Sequence, residues 1–326
     1  MSVLLPMEQG QQLRWGLLGT GGIASQFARD LELTDSGHVV AVGSRSRESA
    51  ERFGQEHGVS SCHASYEELV ADPEVDAVYV ATPHPFHRDH AILALEAGKP
   101  VLVEKPFTMN AAQARDVVRV ARERGLFAME AMWTRFLPHI HEIRRLLAEG
   151  TLGELVSLSA DHGQWFAPDP EHRIFKPELG GGALLDLGIY VVSFSSMVLG
   201  TPDRVVSVIE PAFTGVDGQT SIILSHPGGA QATLNATSLA KTATRAAIVG
   251  TDGRIEIDPQ FYRPTTFSLV MLGEEPIHHA VPHEGHGLRH QADEVARCLR
   301  DGLRESPLMT LDETVSIMET IDAILA

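Results

Sequence analysis

Apolar and polar positions along this chain follow two rhythms, and the change falls near residue 150. Before it, short apolar runs alternate with stretches of helical spacing. Runs at 14–19, 38–43, 75–81 and 100–103 predict strands, and stretches at 22–33, 47–57, 87–96 and 110–124 predict helices. Asn110 caps the last of these helices and Gly125 stops it. Strands and helices alternating at this spacing mean βαβ units and a parallel sheet. After the change, strand-like runs at 155–159, 205–209, 220–224, 230–236 and 246–249 come in quick succession, several of them separated by turn residues. His226-Pro227-Gly228-Gly229 and Thr251-Asp252-Gly253 read as hairpin turns, so this part is antiparallel and of α+β type. Two helices close the chain, the last opened by the capping box Thr310-Leu311-Asp312-Glu313.

Length agrees with two domains: 326 residues, at roughly 150 per domain. We place the boundary so that 12–135 is the first and 136–326 the second, with the last helix free to pack back on the first. Hydrophobic residues at 43% and charged residues at 21% are the composition of a folded globular chain. The net charge of −17 argues against a nucleic-acid footprint, which needs a basic face, and against docking on anionic membranes. The two cysteines, Cys62 and Cys298, exclude a disulfide scaffold or a zinc site built on thiolates, and both read as inert thiols. The most apolar segment, residues 183–199, is interrupted by Asp186, Gly188 and three serines, which argues against a membrane span. Residues 1–12 lack the basic and apolar regions of a signal peptide and read as a short disordered leader. A soluble, cytoplasmic protein is expected.

Gly19-Thr20-Gly21-Gly22-Ile23-Ala24 fits the pattern G-x-G-x-x-A, and its context matters more than the string. It follows the first strand and opens the first helix. The first glycine permits a tight turn, the second lets backbone approach a pyrophosphate, and Ala24 lets helix pack on strand. The helix N-terminus then offers free N–H groups to phosphate. An NAD site usually carries an acid at the end of the second strand. Here that position reads Gly43-Ser44-Arg45-Ser46-Arg47. Arg45 can stack on adenine and pair with a 2′-phosphate, with Ser44 and Arg47 adding hydrogen bonds, so NADP is expected over NAD.

Val103-Glu104-Lys105-Pro106 lies at the carboxyl end of a predicted parallel strand, where ligands bind. In Gly180-Gly181-Gly182-Ala183-Leu184-Leu185-Asp186-Leu187-Gly188-Ile189-Tyr190, three glycines run into an apolar helix, with Asp186 and Tyr190 four apart on one face. An acid in an apolar helix is costly without a partner or a task.

Together these three motifs resemble the Gfo/Idh/MocA oxidoreductases over nearly the whole chain. Met129-Glu130-Ala131-Met132-Trp133-Thr134-Arg135-Phe136 and the tyrosine at 190 look like the branch of dihydrodiol and NADP-dependent D-xylose dehydrogenases. The resemblance implies a Rossmann domain followed by a domain with a large, mostly antiparallel open sheet. It implies that Lys105 and Tyr190 are the catalytic pair, with a cis peptide before Pro106. It places Thr82, Pro83 and His87 beside the cofactor, and Trp133 and Arg135 against cofactor or substrate. Glu104 joins the expected cofactor site, Phe166 the substrate wall, and Asp186 either catalysis or the orientation of a neighbour.

Hydride transfer from a carbinol needs a group to take the hydroxyl proton. A phenol with pKa near ~10 is a poor base until a nearby ammonium favours the phenolate. The expected activity is thus NADP-dependent oxidation of a sugar or cyclic diol, or the reverse reduction. The alternatives are a non-catalytic NADP or sugar sensor on the same fold, and a reductase of another substrate. His278, His279, His283, His286 and His290 lack metal-site spacing and read as a solvent-facing loop, so no metal is expected. Small and polar residues alternating with apolar ones at 220–224 and 233–237 suit a half-buried sheet face, through which a homo-oligomer is expected.

Overall fold

The computed structural model describes residues 10–326, so the leader expected at 1–12 falls mainly outside the described residues. The chain forms two compact units. One comprises Met1–Trp133 and Glu284–Val315, the other Thr134–His283 and Ser316–Ala326.

The first unit is a six-stranded parallel sheet. Its strands are β1 (Leu13–Leu18), β2 (Gly37–Gly43), β3 (Ser61–His63), β4 (Ala77–Val80), β5 (Val101–Glu104) and β6 (Ala128–Ala131). Their order is β3-β2-β1-β4-β5-β6, so the direction of winding reverses between β1 and β4. Every residue of β4, β5 and β6 is buried, as a sheet covered on both faces requires. The helices are α1 (Gly22–Leu31), α2 (Arg47–His57), α3 (Tyr66–Val70), α4 (His87–Glu96) and α5 (Ala111–Arg124). Asn110 accepts from Gln113 N and Gly125 takes the left-handed conformation, so α5 starts and stops where its sequence directs. β3, α3 and β6 escape the sequence pattern because they are too short to show a period.

Phe27 of α1 holds the helix on the sheet. Its ring stacks on Tyr79 at 4.1 Å and meets Trp15 edge-on at 5.4 Å. At the far end of α1, buried Asp30 accepts from the backbone N–H groups of His286 and Leu288, at 2.9 and 2.6 Å. This carboxylate ties the start of α8 (Arg289–Arg300) to α1. It explains why a segment so late in sequence belongs to the first unit.

The second unit carries α6 (Pro138–Ala148), α7 (Ile189–Leu199) and an eight-stranded sheet. The strands are β7 (Leu155–Gly163), β8 (Arg204–Pro211), β9 (Asp217–Ser225), β10 (Gln231–Thr237), β11 (Ala246–Gly250), β12 (Gly253–Ile257), β13 (Phe267–Met271) and β14 (Ile277–His279). Their order is β14-β13-β12-β11-β7-β10-β9-β8, antiparallel except where β10 runs parallel to β7. Both predicted hairpins are present, joining β9 to β10 and β11 to β12. His278 and His279 lie in β14, not in a loop. His279 stacks on Phe267 at 4.4 Å. Among the described residues no group of side chains is arranged to hold a metal ion. The last helix, α9 (Leu311–Leu325), begins where Thr310 Oγ1 accepts from Glu313 N.

The segment Pro177–Leu199 is long and apolar enough to cross a membrane by length and composition, but 78% of its most apolar window is buried inside the protein. It is a core element, and its first turn differs from the sequence expectation. Residues Leu184–Gly188 form a π turn before α7 begins. Such turns widen a helix locally and recur at functional sites.

Replacing Phe27 with Ala removes two aromatic contacts from a closed core. A loss of about 3–5 kcal/mol in the stability of the first unit is expected, read by urea unfolding.

Candidate active site

In the first unit the site lies at the carboxyl edge of the sheet, where the winding reverses. There β1 ends at Leu18 and the chain turns through Gly19, whose φ is +113°. A Cβ on Gly19 would lie 2.7 Å from the carbonyl oxygen of Ala81, so only glycine lets the two strand ends approach. Gly19 N donates to Gly43 O, and Ala81 N donates to Leu18 O. Three strand ends are thereby locked together.

Beyond that turn the backbone opens. A Cβ on Gly21 or Gly22 would meet nothing within 4 Å. Gly21 stands at the N-cap of α1 without any side-chain cap, and the first turn carries no acid. These are the conditions under which helix N–H groups and dipole receive a phosphate. Ala24 is fully buried beneath the turn, while Thr20 and Ile23 are half-buried. The residues present therefore fit the pyrophosphate of a dinucleotide.

At the end of β2, Ser44 is buried and donates its N–H to His63 O. Arg45 is exposed and hydrogen-bonds the Tyr66 side chain, whose ring packs against His90 at 4.5 Å. The Arg47 guanidinium lies 3.5 Å from Cys62 O.

Lys105 follows β5 in a turn that three buried side chains hold. Glu104 accepts from the Tyr79 hydroxyl and from Lys105 N. Glu130 accepts from Phe107 N at 3.0 Å. His87, fully buried, faces Pro106 O with Nδ1 at 2.8 Å and Thr82 O with Nε2 at 2.7 Å. The Lys105–Pro106 peptide is cis. Glu104 and His87, both among the residues expected at the cofactor site, hold the loops that follow β4 and β5. Thr82 Oγ1 pairs with His90, and Pro83 precedes a short turn in extended conformation. Trp133 is buried in the turn after β6.

In the second unit the site is built around the start of α7. Tyr190 sits in its first turn and is 7% exposed. The three-glycine approach positions this helix. Asp217 accepts from Leu184 N at 2.6 Å, capping the helix, and a Cβ on Gly182 would strike the same carboxylate. Burial pushes Asp217 up to about 6, against the pull of its backbone donors. Asp186 is buried and paired with Arg173, whose Nη2 lies 3.1 and 2.9 Å from its two oxygens. Arg135 is also buried and donates to the hydroxyl and carbonyl oxygens of Ser193, one turn after Tyr190. Phe166 packs with Ile174, Phe175 and Ala212 in a small satellite core.

Other residues close to Tyr190 escaped the sequence reading. The His162 ring lies 5.2 Å from it and the Tyr262 ring 4.9 Å. Strand alternation through Leu158 and Ala160 could have placed His162 on the inner face. Nothing in the sequence could have placed Tyr262. The cysteines are as expected: burial raises both thiols, Cys298 to about 12.

Two family models match this chain. The GFO/IDH/MocA oxidoreductase family model, with its NAD-binding Rossmann fold, matches residues 13–132, and the GFO/IDH/MocA C-terminal domain matches residues 140–256. A trans-1,2-dihydrobenzene-1,2-diol dehydrogenase of Xenopus tropicalis is 38% identical over 96% of this chain and 97% of its own. The Homo sapiens protein of that name is 38% identical, with 96% of each chain covered. Among solved structures, an aldose-aldose oxidoreductase from Caulobacter crescentus, complexed with glycerol, superposes with a TM-score of 0.88 at 26% identity, over 97% of each chain. A 3-ketoreductase from Actinomadura kijaniata, in complex with NADP and TDP-benzene, gives 0.84 at 27% identity, again over 97% of each.

His87 makes the first unit sensitive to acid. Burial pushes its imidazole down to about 4, although both carbonyls favour the charged ring. The unfolded chain takes up this proton near pH ~6.5 and the folded one does not. The stability it contributes is therefore complete above that pH and lost as pH falls toward 4, up to about 3 kcal/mol. His87→Leu is expected to cost about 1–3 kcal/mol at pH 7.5 by leaving unpaired the one carbonyl to which the neutral ring donates. In urea titrations the gap between wild type and variant should narrow at pH 4.5; a gap that does not change with pH would contradict this.

Proposed function

The chain belongs to the GFO/IDH/MocA oxidoreductase family, and on that premise we propose that it is an NADP-dependent dehydrogenase of a sugar or cyclic diol. The observation that carries this reading is the open, uncapped cradle of Gly21 and Gly22 at the point where the sheet winding reverses. The choice of NADP over NAD rests on the end of β2, where Arg45 stands exposed and Gly43–Arg47 contains no acid. The substrate class is supported by relatives named for a trans-diol and by a structural neighbour named for aldoses.

When bound, the nicotinamide supplies the redox chemistry, exchanging a hydride with the carbinol carbon. The chain's own residues manage the proton and the alignment. Tyr190 takes the proton of the reacting hydroxyl on oxidation and returns it to the carbonyl oxygen on reduction. Lys105 acts with it: the ammonium favours the phenolate and hydrogen-bonds the substrate oxygen. Asp217 and Arg135 fix the helix that carries Tyr190, one at its start and one a turn further on. Asp186 is a positioning residue in this scheme, since its carboxylate is paired with Arg173. Glu104 and His87 hold the turn that presents Lys105.

A homo-oligomer through the second unit's sheet completes the proposal. The outer face exposes apolar residues, with Val208 at 72% and Ile223 at 48%. A monomeric mass by light scattering at micromolar concentration would count against it.

The first assay offers NADP or NAD with a panel of aldoses and cyclic diols and follows the reduced cofactor by absorbance. Turnover with NADP well above NAD is expected. Arg45→Ala should raise KM for NADP by about tenfold or more and leave that for NAD little changed. Tyr190→Phe should keep NADP affinity and lower kcat by about a hundredfold or more. Near-normal turnover in that variant would remove Tyr190 from the mechanism.

A further inference from the structure

Arg45 stands two residues past the end of β2, with its side chain exposed. An exposed arginine samples many rotamers, and pairing with a phosphate requires that most of that freedom be lost. Here part of it is lost in advance, because the guanidinium donates to the Tyr66 side chain. Burial raises the Tyr66 phenol above its usual range although Arg45 favours the phenolate, so the acceptor is a neutral hydroxyl. Tyr66 opens α3, and Ser65 fixes that start by accepting from Glu68 N at 3.1 Å.

Behind Tyr66 stands His90 of α4, both of them half-buried. The two rings meet edge-on at 4.5 Å and 66°. His90 also stacks on Phe86 at 5.8 Å, and its Nδ1 lies 2.9 Å from Thr82 Oγ1. Thr82 is buried just past β4, with its own carbonyl 2.7 Å from His87 Nε2. A line of contacts thus runs from the rigid end of β4, through α4 and α3, to the tip of Arg45. Burial holds His90 below the usual imidazole range, against the pull of Asp89 and Glu67. A neutral ring therefore stands near Arg45, where an imidazolium would repel the guanidinium. Phenylalanine at 66 and leucine at 90 would fill much the same space. They would offer Arg45 no hydroxyl, and would not tie the ring that carries it to Thr82.

We propose that Tyr66 and His90 are positioning residues that hold Arg45 in place for the 2′-phosphate, and so set the preference for NADP over NAD. The inference rests on the NADP reading above and names the device behind it. A side chain ordered before the ligand arrives has less entropy to lose on binding, which shows as affinity. NAD has no 2′-phosphate and gains nothing from the arrangement.

The test is calorimetric titration of NADPH and of NADH into the full chain, which reads binding without turnover. Tyr66→Phe and His90→Leu should each weaken NADPH about fivefold, the order expected for one lost hydrogen bond, and leave NADH within about twofold of wild type. In an Arg45→Ala background nothing remains to be held, and either second change should add less than about twofold. NADPH affinity within about twofold of wild type in either single variant overturns the proposal. So does an equal loss on NADH, which would make the pair a support for the whole edge. A full further loss in the Arg45→Ala background also overturns it, because the two residues would then act without Arg45. If His90→Leu fails to fold, Tyr66→Phe, which removes a single oxygen, carries the test. Arg45→Ala alone tests the reading beneath: if it keeps wild-type affinity for NADPH, the NADP reading itself falls. If it loses about tenfold while Tyr66→Phe loses nothing, only this inference falls.

Discussion

The constraint that shapes the first unit's carboxyl edge is the gap between Gly19 and the carbonyl of Ala81, which has no room for a Cβ. Because the gap is closed, β1 and β4 end together at the edge where the sheet reverses its winding. The N-terminus of α1 then stands clear of both, its first N–H groups facing open space. The other loops of that edge are set by buried hydrogen bonds of the same severity. His87 sits between two carbonyls, and Glu104 and Glu130 collect the N–H groups of the Lys105 turn. Each of these polar groups is in low dielectric, where an unmade bond costs far more than a made one gains. The edge is therefore rigid, as a surface that must receive a flexible dinucleotide needs to be.

The second unit solves a related problem with charge. Its most apolar helix begins in a π turn with a buried acid in it, an unstable arrangement by propensity alone. Asp217 meets the free N–H groups, Gly182 makes way for that carboxylate, and Arg173 neutralises Asp186. Arg135 grips Ser193 one turn later. Four residues distant in sequence thus determine the orientation of Tyr190. Buried charged groups seldom add net stability against an apolar core. Their use here is to specify one geometry for a tyrosine that an apolar helix would leave free to rotate with its neighbours.

The strands and helices of the first unit were legible because their signals are local. Burial on both faces produces continuous apolar runs, Asn110 and Gly125 punctuate α5, and G-x-G-x-x-A needs only its own backbone. Hairpin turns likewise announced β9–β10 and β11–β12. Elements without local signals were missed: β3 and β6, too short for a period, and β13 and β14, whose partners rather than composition make them strands. The supporting bonds of Arg135, Glu104 and His87 were not legible, because they are made to Ser193, to Tyr79 and Lys105 N, and to two backbone carbonyls that lie outside each residue's own stretch or carry no pattern.

By itself the sequence determined the two domain classes, the dinucleotide turn and the presence of Lys105 and Tyr190, since each depends on residues within about one turn or strand of one another. Only the tertiary structure decided which side chains are committed to support and which gather around Tyr190. His162 and Tyr262 come together across a hundred residues because β7, through β11 and β12, carries the loop of Tyr262 back to its own end. Such a meeting is set by strand order, and strand order is a property of the whole sheet that no local stretch encodes.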